Sequence, residues 1–298
     1  MLKIQTHIVP EGITPARLSD YACGIFPTLL SRKSVKKAIK RGEVWIDGQP
    51  GTSGRWIHPG QHIELVDLEQ TPPKIFELAI EIIYEDEYLA LINKPAGIPT
   101  SGNQFRTIQN ALLHNLSLSN KKDALPWPVP VHRLDAPTSG LLLVAKTSST
   151  RIHLGQQFEE KQIQKKYQAI VIGQSPEKGQ INLSIEGKKA NTIFERQQLV
   201  PSLKNEWLSL LNLYPKTGRT HQLRIHLSKS GYPILGDKLY GKEGLILRKK
   251  GLFLTSVELS FQHPATEKKM NIRIDAPRKF TTLLEREERR WRAYHKNT

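Results

Sequence analysis

The stretch His132-Arg133-Leu134-Asp135-Ala136-Pro137-Thr138-Ser139-Gly140-Leu141-Leu142-Leu143-Val144-Ala145-Lys146-Thr147 contains a buried strand and a carboxylate at its mouth. Leu141 to Ala145 is a short, continuous apolar run bounded by turn formers, and reads as a strand covered on both faces. Asp135 precedes it in a segment rich in Pro, Thr, Ser and Gly, from Pro137 to Gly140. A packed strand fixes such a side chain in place, while the turn leaves its oxygens accessible. Taken singly, an Asp in a turn is ordinarily a surface turn former. The neighbouring strings decide whether Asp135 is more than that.

Upstream, Leu89-Ala90-Leu91-Ile92 reads as another short strand, and it ends in Asn93-Lys94-Pro95-Ala96-Gly97. This is not the guanine-reading Asn-Lys-x-Asp motif, because Ala96 takes the last position. The chain also lacks a Gly-x-x-x-x-Gly-Lys-Ser/Thr phosphate loop, which rejects a GTPase. Thr107 is a fitting cap for a helix to about Leu116 with Ile108, Ala111 and Leu112 inward. Leu125 to Pro130 reads as a Pro-rich loop. Ser148 is expected to cap a helix through Phe158. Downstream, Lys165-Lys166-Tyr167-Gln168-Ala169-Ile170-Val171 reads as a strand in which Tyr167, alone, would be a half-buried aromatic. Lys216-Thr217-Gly218-Arg219-Thr220-His221-Gln222-Leu223-Arg224-Ile225-His226 reads as a turn and a helix, with Thr220 as its cap and Gly231 as its stop. His221 and His226 do not share a helical face, and no carboxylate stands at ligand spacing, so no metal is expected. From Thr282 a charged helix docks through Leu283 and Leu284.

Together these strings resemble the RluA-type pseudouridine synthases, whose signature is His-Arg-Leu-Asp followed by Thr-Ser-Gly and an apolar run. The resemblance implies an α+β fold, a mixed, mostly antiparallel bent sheet with flanking helices and a cleft between its halves. It implies that Asp135 is the catalytic residue, acting either as nucleophile at the sugar or as the base that removes a sugar proton. Tyr167, in Lys-x-Tyr-x-Ala, would stack on the target base. Arg224, the last residue of Gly-Arg-Thr-His-Gln-x-Arg, would pair with Asp135 through a bidentate guanidinium that keeps the carboxylate ionised and aimed. Gly236-Asp237-Lys238-Leu239-Tyr240-Gly241 is similar to a family turn, and Leu252 to Leu259, then His263-Pro264, to the strand that closes the site. Leu254 would pack below the base, and Arg133 would fill the position the flipped base leaves. Many family members have His-Ala where this chain has Thr255-Ser256. Lys94 is assigned no chemical role. The implied reaction needs no cofactor.

Residues 15–68 have a logic of their own. After a helix opening at Arg17-Leu18-Ser19-Asp20-Tyr21, Ser31 or Ser34 caps a second helix that runs to about Arg41 and stops at Gly42. Val35, Ala38 and Ile39 share one face of it. Lys33, Lys36, Lys37 and Lys40 share another, flanked by Arg32 and Arg41, and no acid interrupts residues 31–41. A solvated helix face is the ordinary fate of such lysines. Their single sign, without opposite-charge i, i+4 partners, argues for a polyanion. Strands at Val44-Trp45-Ile46 and Ile63 to Val66 follow, with turns at Asp47-Gly48 and Pro59-Gly60. This order resembles the small RNA-binding domain shared with ribosomal protein S-four. The expected organisation is therefore a small α/β RNA-binding domain over residues 1–68, a linker over 69–77 stiffened by Pro72-Pro73, and a catalytic domain over 78–298.

The 298-residue chain carries 38% hydrophobic residues, enough for a packed core, and a net charge of +16, which favours nucleic acid as partner. No apolar run approaches the roughly 18 residues of a bilayer span, and no signal-peptide core opens the chain. One cysteine, Cys23, leaves no internal disulfide and no cysteine-based zinc site. A cytoplasmic monomer is expected, acting on RNA of the 23S-type large ribosomal subunit, with transfer RNA as the alternative. Two other readings compete: an RNA-binding protein with an inert synthase domain, and a carboxylate-based glycosidase. A glycosidase needs a second carboxylate across the bond, for which Glu85-Asp86-Glu87 is the nearest cluster to a strand.

Overall fold

The computed structural model describes residues 2–67, 73–242 and 250–296, and the chain divides into two compact units, 1–72 and 73–298.

The first unit is ordered as β1 (Leu2–Ile8), β2 (Ala16–Arg17), α1 (Leu18–Tyr21), α2 (Arg32–Lys40), β3 (Val44–Ile46), β4 (Gln49–Pro50), β5 (Trp56–Ile57) and β6 (His62–Asp67). Its main sheet runs β1-β6-β3-β4, and β2 pairs with β5. Helix α2 starts at a reciprocal cap: Ser31 Oγ accepts from the Ser34 amide at 3.1 Å, and Ser34 Oγ from the Ser31 amide at 3.0 Å. It ends where Gly42 takes a φ of 77°, a left-handed conformation that glycine adopts without strain. Val35 and Ala38 bury this helix against Leu18, Val44, Ile46 and Ile63, which turns its lysines outward.

The second unit comprises β7 (Glu81–Glu85), β8 (Leu89–Lys94), α3 (Ile108–Asn115), β9 (Ala124–Pro130), β10 (Ser139–Thr147), α4 (Ser148–Glu159), β11 (Gln164–Ile172), β12 (Lys178–Ile181), β13 (Thr192–Ser202), β14 (Glu206–Pro215), α5 (Gln222–Lys229), β15 (Leu254–Gln262), β16 (Lys269–Arg273) and α6 (Lys279–Lys296). One sheet runs β12-β13-β14-β11-β15-β10-β8-β7, with β16 beside β15 and β9 beside β10. Strand β10 is buried along its whole length. Leu142 and Val144 pack in a core with residues of α3 and α5, while Leu141 and Leu143 pack in another with α4 and β15. Both faces are covered, so the sequence shows an unbroken apolar run rather than alternation.

Among the described residues all strand pairs are antiparallel except β10 with β15, where Ser139 stands opposite Thr255 and Gly140 opposite Ser256. Ser256 in turn stands opposite Tyr167 on β11. Strands β11 and β15, which carry Tyr167 and Leu254, thus meet β10, the strand that follows Asp135, at this one point. Gly140 makes the meeting possible: its φ is 106°, and a Cβ there would lie 2.1 Å from the Ser256 carbonyl oxygen.

Three local expectations are corrected. Residues 124–130 form a strand, not a loop. Its prolines, Pro126, Pro128 and Pro130, alternate, so every missing N–H can point away from β10, and Val131 continues the pairing by donating to the Leu143 carbonyl at 3.1 Å. Helix α4 is capped by Thr147 Oγ1, which accepts from the Thr150 amide, rather than by Ser148. The expected linker lies partly outside the described residues, at 69–72. From residue 73 the chain has no regular structure yet is bound to the second unit. Phe76 and Leu78 pack on the core, the Phe76 amide donates to the Asn110 carbonyl at 3.0 Å, and Asn115 Nδ2 donates to the Leu78 carbonyl at 2.8 Å.

Candidate active site

A pocket of about 510 Å³ opens where β10, β11 and β15 meet, and Arg133, Asp135, Tyr167, Arg224 and Leu254 all line it. These residues come from four separate stretches of sequence. The Asp135 loop is held on both sides. Thr100 Oγ1 accepts from the Leu134 amide at 3.1 Å and donates to the Leu134 carbonyl at 2.9 Å. The Ala136 carbonyl accepts from the Gly97 amide at 2.6 Å and from Lys94 Nζ at 3.3 Å. His132 Nε2 accepts from the Leu143 amide at 3.0 Å, and burial, followed by the nearby Lys165 charge, lowers the ring's pKa to about 3. His132 is therefore a neutral anchor that ties the loop to β10.

Lys94, in the Lys-Pro-Ala-Gly turn, is fully buried. Burial lowers its pKa to about 8, against the opposing pull of Asp135. Its ammonium also donates to the Pro95 carbonyl at 2.8 Å. The sequence assigns Lys94 no chemical role, and the structure gives it a mechanical one, as a tether for the loop that carries Asp135.

Arg224 and Asp135 meet, but not through a bidentate pair. Arg224 Nη1 lies 3.3 Å from Asp135 Oδ2, a single long hydrogen bond. The fork goes to Asp237 instead, with Nε to Oδ2 at 2.7 Å and Nη2 to Oδ1 at 2.7 Å. Asp237 Oδ1 also accepts from the Leu239 and Tyr240 amides at 2.9 and 3.1 Å. Burial opposes both charges, but these hydrogen bonds overcome it, holding the Asp237 carboxyl below its ordinary range and Arg224 above its own. With only 6% of the Arg224 side chain and 1% of Asp237 exposed, the pair is a fixed base from which one N–H reaches Asp135. Asp135, 16% exposed, keeps most of its lone pairs for chemistry.

A second group faces the carboxylate. His221 Nε2 is 3.7 Å from Asp135 Oδ1, and His221 Nδ1 is 2.9 Å from the Tyr240 hydroxyl. The Tyr240 ring also lies under the Arg224 guanidinium, 5.0 Å from it. His221 has a φ of 54°, an unusual conformation for a residue other than glycine. It occupies the position before α5, so Thr220 is not the cap. His221 makes no side-chain cap bond either, and the Gln222 side chain instead ties the start of α5 to its surroundings: its Oε1 accepts from Thr217 Oγ1 and the Arg219 amide, and its Nε2 donates to the Asn191 carbonyl and Thr192 Oγ1.

Tyr167 is buried beside Asp135, and burial pushes its phenol up to about 12, so the hydroxyl keeps its proton at neutral pH. Leu254 is 3% exposed and forms an apolar wall. Arg133 is exposed at the pocket edge. The residues that sequence reasoning misses are Asp237, Tyr240, His221 and Thr100. The Gly-Asp-x-x-Tyr-Gly turn is the signal that could have found the first two.

Glu85, Asp86 and Glu87 do not line the pocket. Glu85 pairs with Lys146 at 2.8 Å, and Asp86 accepts from the Tyr84 hydroxyl and His263 Nε2, each at 2.8 Å. Among the described residues no group of His, Cys, Asp and Glu is arranged to hold a metal. In the first unit, Lys33, Lys36, Lys37 and Lys40 are exposed. Their flanking arginines are engaged, Arg32 with Asp20 at 2.7 Å and Arg41 Nη2 with Glu43 Oε2 at 2.6 Å.

The sequence and the fold match known proteins. The family model for RNA pseudouridylate synthase matches residues 88–229. A protein of Aquifex aeolicus named as an uncharacterized RNA pseudouridine synthase is 31% identical, over 90% of this chain and 92% of its own length. Ribosomal large subunit pseudouridine synthase D of Pseudomonas aeruginosa is 31% identical over 93% of each chain. The solved structure of human RNA pseudouridylate synthase domain containing 4 covers 69% of this chain and 92% of that one, with a TM-score of 0.54 and 26% identity. The chain belongs to the RluA-type RNA pseudouridine synthases, which are isomerases.

Proposed function

We propose that this enzyme converts uridine in large-subunit ribosomal RNA to pseudouridine, with Asp135 as its catalytic residue. The observation that carries this reading is a carboxylate reached by a single N–H of a buried arginine, in a pocket that also presents a protonated tyrosine and an apolar wall. The glycosidic bond between ring nitrogen 1 and the anomeric carbon breaks, the uracil turns, and ring carbon 5 bonds to the same sugar carbon. Carbon 5 loses a proton and nitrogen 1 gains one, so product and substrate are isomers. Asp135 assists cleavage as nucleophile at the sugar or as the base that removes a sugar proton. The Tyr167 ring stacks on the base over Leu254, and its hydroxyl is placed to handle a ring proton. A uridine must leave its stack to enter such a pocket, at about a few kcal/mol. Arg133 at the edge suits the vacated position. The exposed lysines of α2 supply sequence-independent grip on phosphates. The name of the Pseudomonas aeruginosa relative favours large-subunit ribosomal RNA over transfer RNA, and a cytoplasmic monomer fits that substrate.

The test is incubation with unmodified large-subunit ribosomal RNA and, separately, unmodified transfer RNA. Carbodiimide adducts that survive alkali, at discrete uridines of the ribosomal transcript, are expected. Release of free uracil would instead indicate a glycosidase, and binding without either product an inert domain.

A further inference from the structure

Five of the described lysines are not exposed, and four of them have partners. Lys94 donates to the Pro95 and Ala136 carbonyls, Lys146 to Glu85 and the Asp86 carbonyl, and Lys279 to the Leu252 carbonyl. The Lys166 ammonium lies over the Tyr214 ring at 6.0 Å. Lys165 is the exception. It is half-buried, lines the catalytic pocket, and has no hydrogen bond or ion pair among the described residues. Its nitrogen is not sealed from solvent, so it presents to the pocket a cation that no protein group among the described residues neutralises. Burial depresses its pKa with no neighbouring charge to offset the effect.

Its position indicates the class of partner. Lys165 stands two residues before Tyr167 on β11, and two residues along a strand span about 6.7 Å. The ammonium lies 3.8 Å from where a Cβ on Gly218 would stand, under the loop that leads to α5. Around it the pocket wall is basic: Arg133, Lys161, Lys216 and Arg219 line it, and among the described residues the only acids lining it are Asp135 and Glu159. Glu159 pairs with none of these bases, and Asp135 is engaged by Arg224 and His221. Such a wall accepts an anion, at about one nucleotide's reach from the ring that holds the base.

We propose that Lys165 seats a backbone phosphodiester beside the flipped uridine, and so fixes the sugar over Asp135. This rests on the reading of the pocket as a uridine site. A point charge with rotatable donors suits a phosphate oxygen, and the pocket walls strengthen the contact relative to one made in water. Lys165 is a positioning residue: by holding the phosphate it sets the distance between the anomeric carbon and the carboxylate.

The test uses Lys165→Met and Lys165→Arg with a short RNA spanning a uridine that the wild type converts, and with copies carrying a single neutral methylphosphonate at each neighbouring linkage. In Lys165→Met, affinity is expected to fall about tenfold. The slope of log affinity against log salt is expected to shrink by about 0.7, the share of one single-strand phosphate. Lys165→Arg retains the slope. One particular methylphosphonate should weaken the wild type about as much as Lys165→Met does, and should weaken Lys165→Met little further. The unfolding temperature of Lys165→Met should not fall, because no protein group depends on this ammonium. The proposal is overturned if the slope is unchanged, or if every methylphosphonate weakens Lys165→Met as much as the wild type. Binding is read apart from conversion, so an RNA that binds but is not converted counts against the catalytic reading and still tests the phosphate seat.

Discussion

Asp237 separates the support of the site from its chemistry. It does not line the pocket, yet it takes both arms of the Arg224 fork. Asp237→Asn leaves a buried guanidinium short of a charge partner, which is expected to lower stability by about 3–5 kcal/mol. Because the N–H that meets Asp135 loses its anchor, kcat should fall while RNA affinity stays near that of the wild type. Urea titration and single-turnover kinetics read the two effects, and a stable, fully active Asp237→Asn would refute the arrangement. Lys94 gives a pH-dependent outcome. Its folded pKa, about 8, lies below the ordinary 10.5. Between those values the unfolded chain holds a proton that the folded chain has released, so this group's contribution to stability rises with pH. Below about pH 8 both states are protonated and the burial penalty is present in full. Relative to Lys94→Met, the wild type should therefore gain on the order of 1–3 kcal/mol between about pH 7 and pH 10. A difference that stays flat or falls with pH contradicts the burial of a titrating ammonium.

At the scale of elements, the meeting of β10, β11 and β15 decides the geometry of the site. Gly140→Ala would put a Cβ 2.1 Å from the Ser256 carbonyl oxygen, and at a φ of 106° no neighbouring side chain can yield to relieve it. Strain of this kind costs about 1–3 kcal/mol before the overlap is counted. The variant is expected to lose activity and melt at lower temperature, whereas Gly155→Ala, on α4 with open space around it, should do neither. Thermal unfolding monitored by circular dichroism distinguishes them. The same elements mark what the sequence could convey. Leu141 to Ala145 declares a buried strand because both faces are apolar, and the Ser31 cap and Gly42 stop declare α2. Residues 124–130 mislead because proline usually punctuates strands. What makes these prolines tolerable is their phase relative to a partner strand, which local reading does not carry. Tyr167, Arg224 and Leu254 are legible only as members of a family pattern. The turn from Gly236 to Gly241 is legible in the same way, but the fork between Asp237 and Arg224 is not, because it depends on how the guanidinium is oriented.

The chain divides into a unit with a four-lysine helix face and a unit with the pocket. Changing Lys33, Lys36, Lys37 and Lys40 together to Gln should reduce the salt slope of RNA binding by up to about 3.6, at roughly 0.7–0.9 per phosphate no longer neutralised. Conversion of RNA already bound should be unaffected. A slope equal to that of the wild type would remove the first unit from RNA recognition. Each unit has its own apolar core, so these surface changes should leave the unfolding transition in place. The most direct measurement of the central claim is single-turnover conversion by Asp135→Asn at saturating enzyme, with RNA affinity and unfolding temperature recorded alongside. Conversion should fall by at least about 10²–10⁴-fold, with affinity and melting close to those of the wild type. A folded, RNA-bound Asp135→Asn that forms pseudouridine at the wild-type rate would contradict the claim outright.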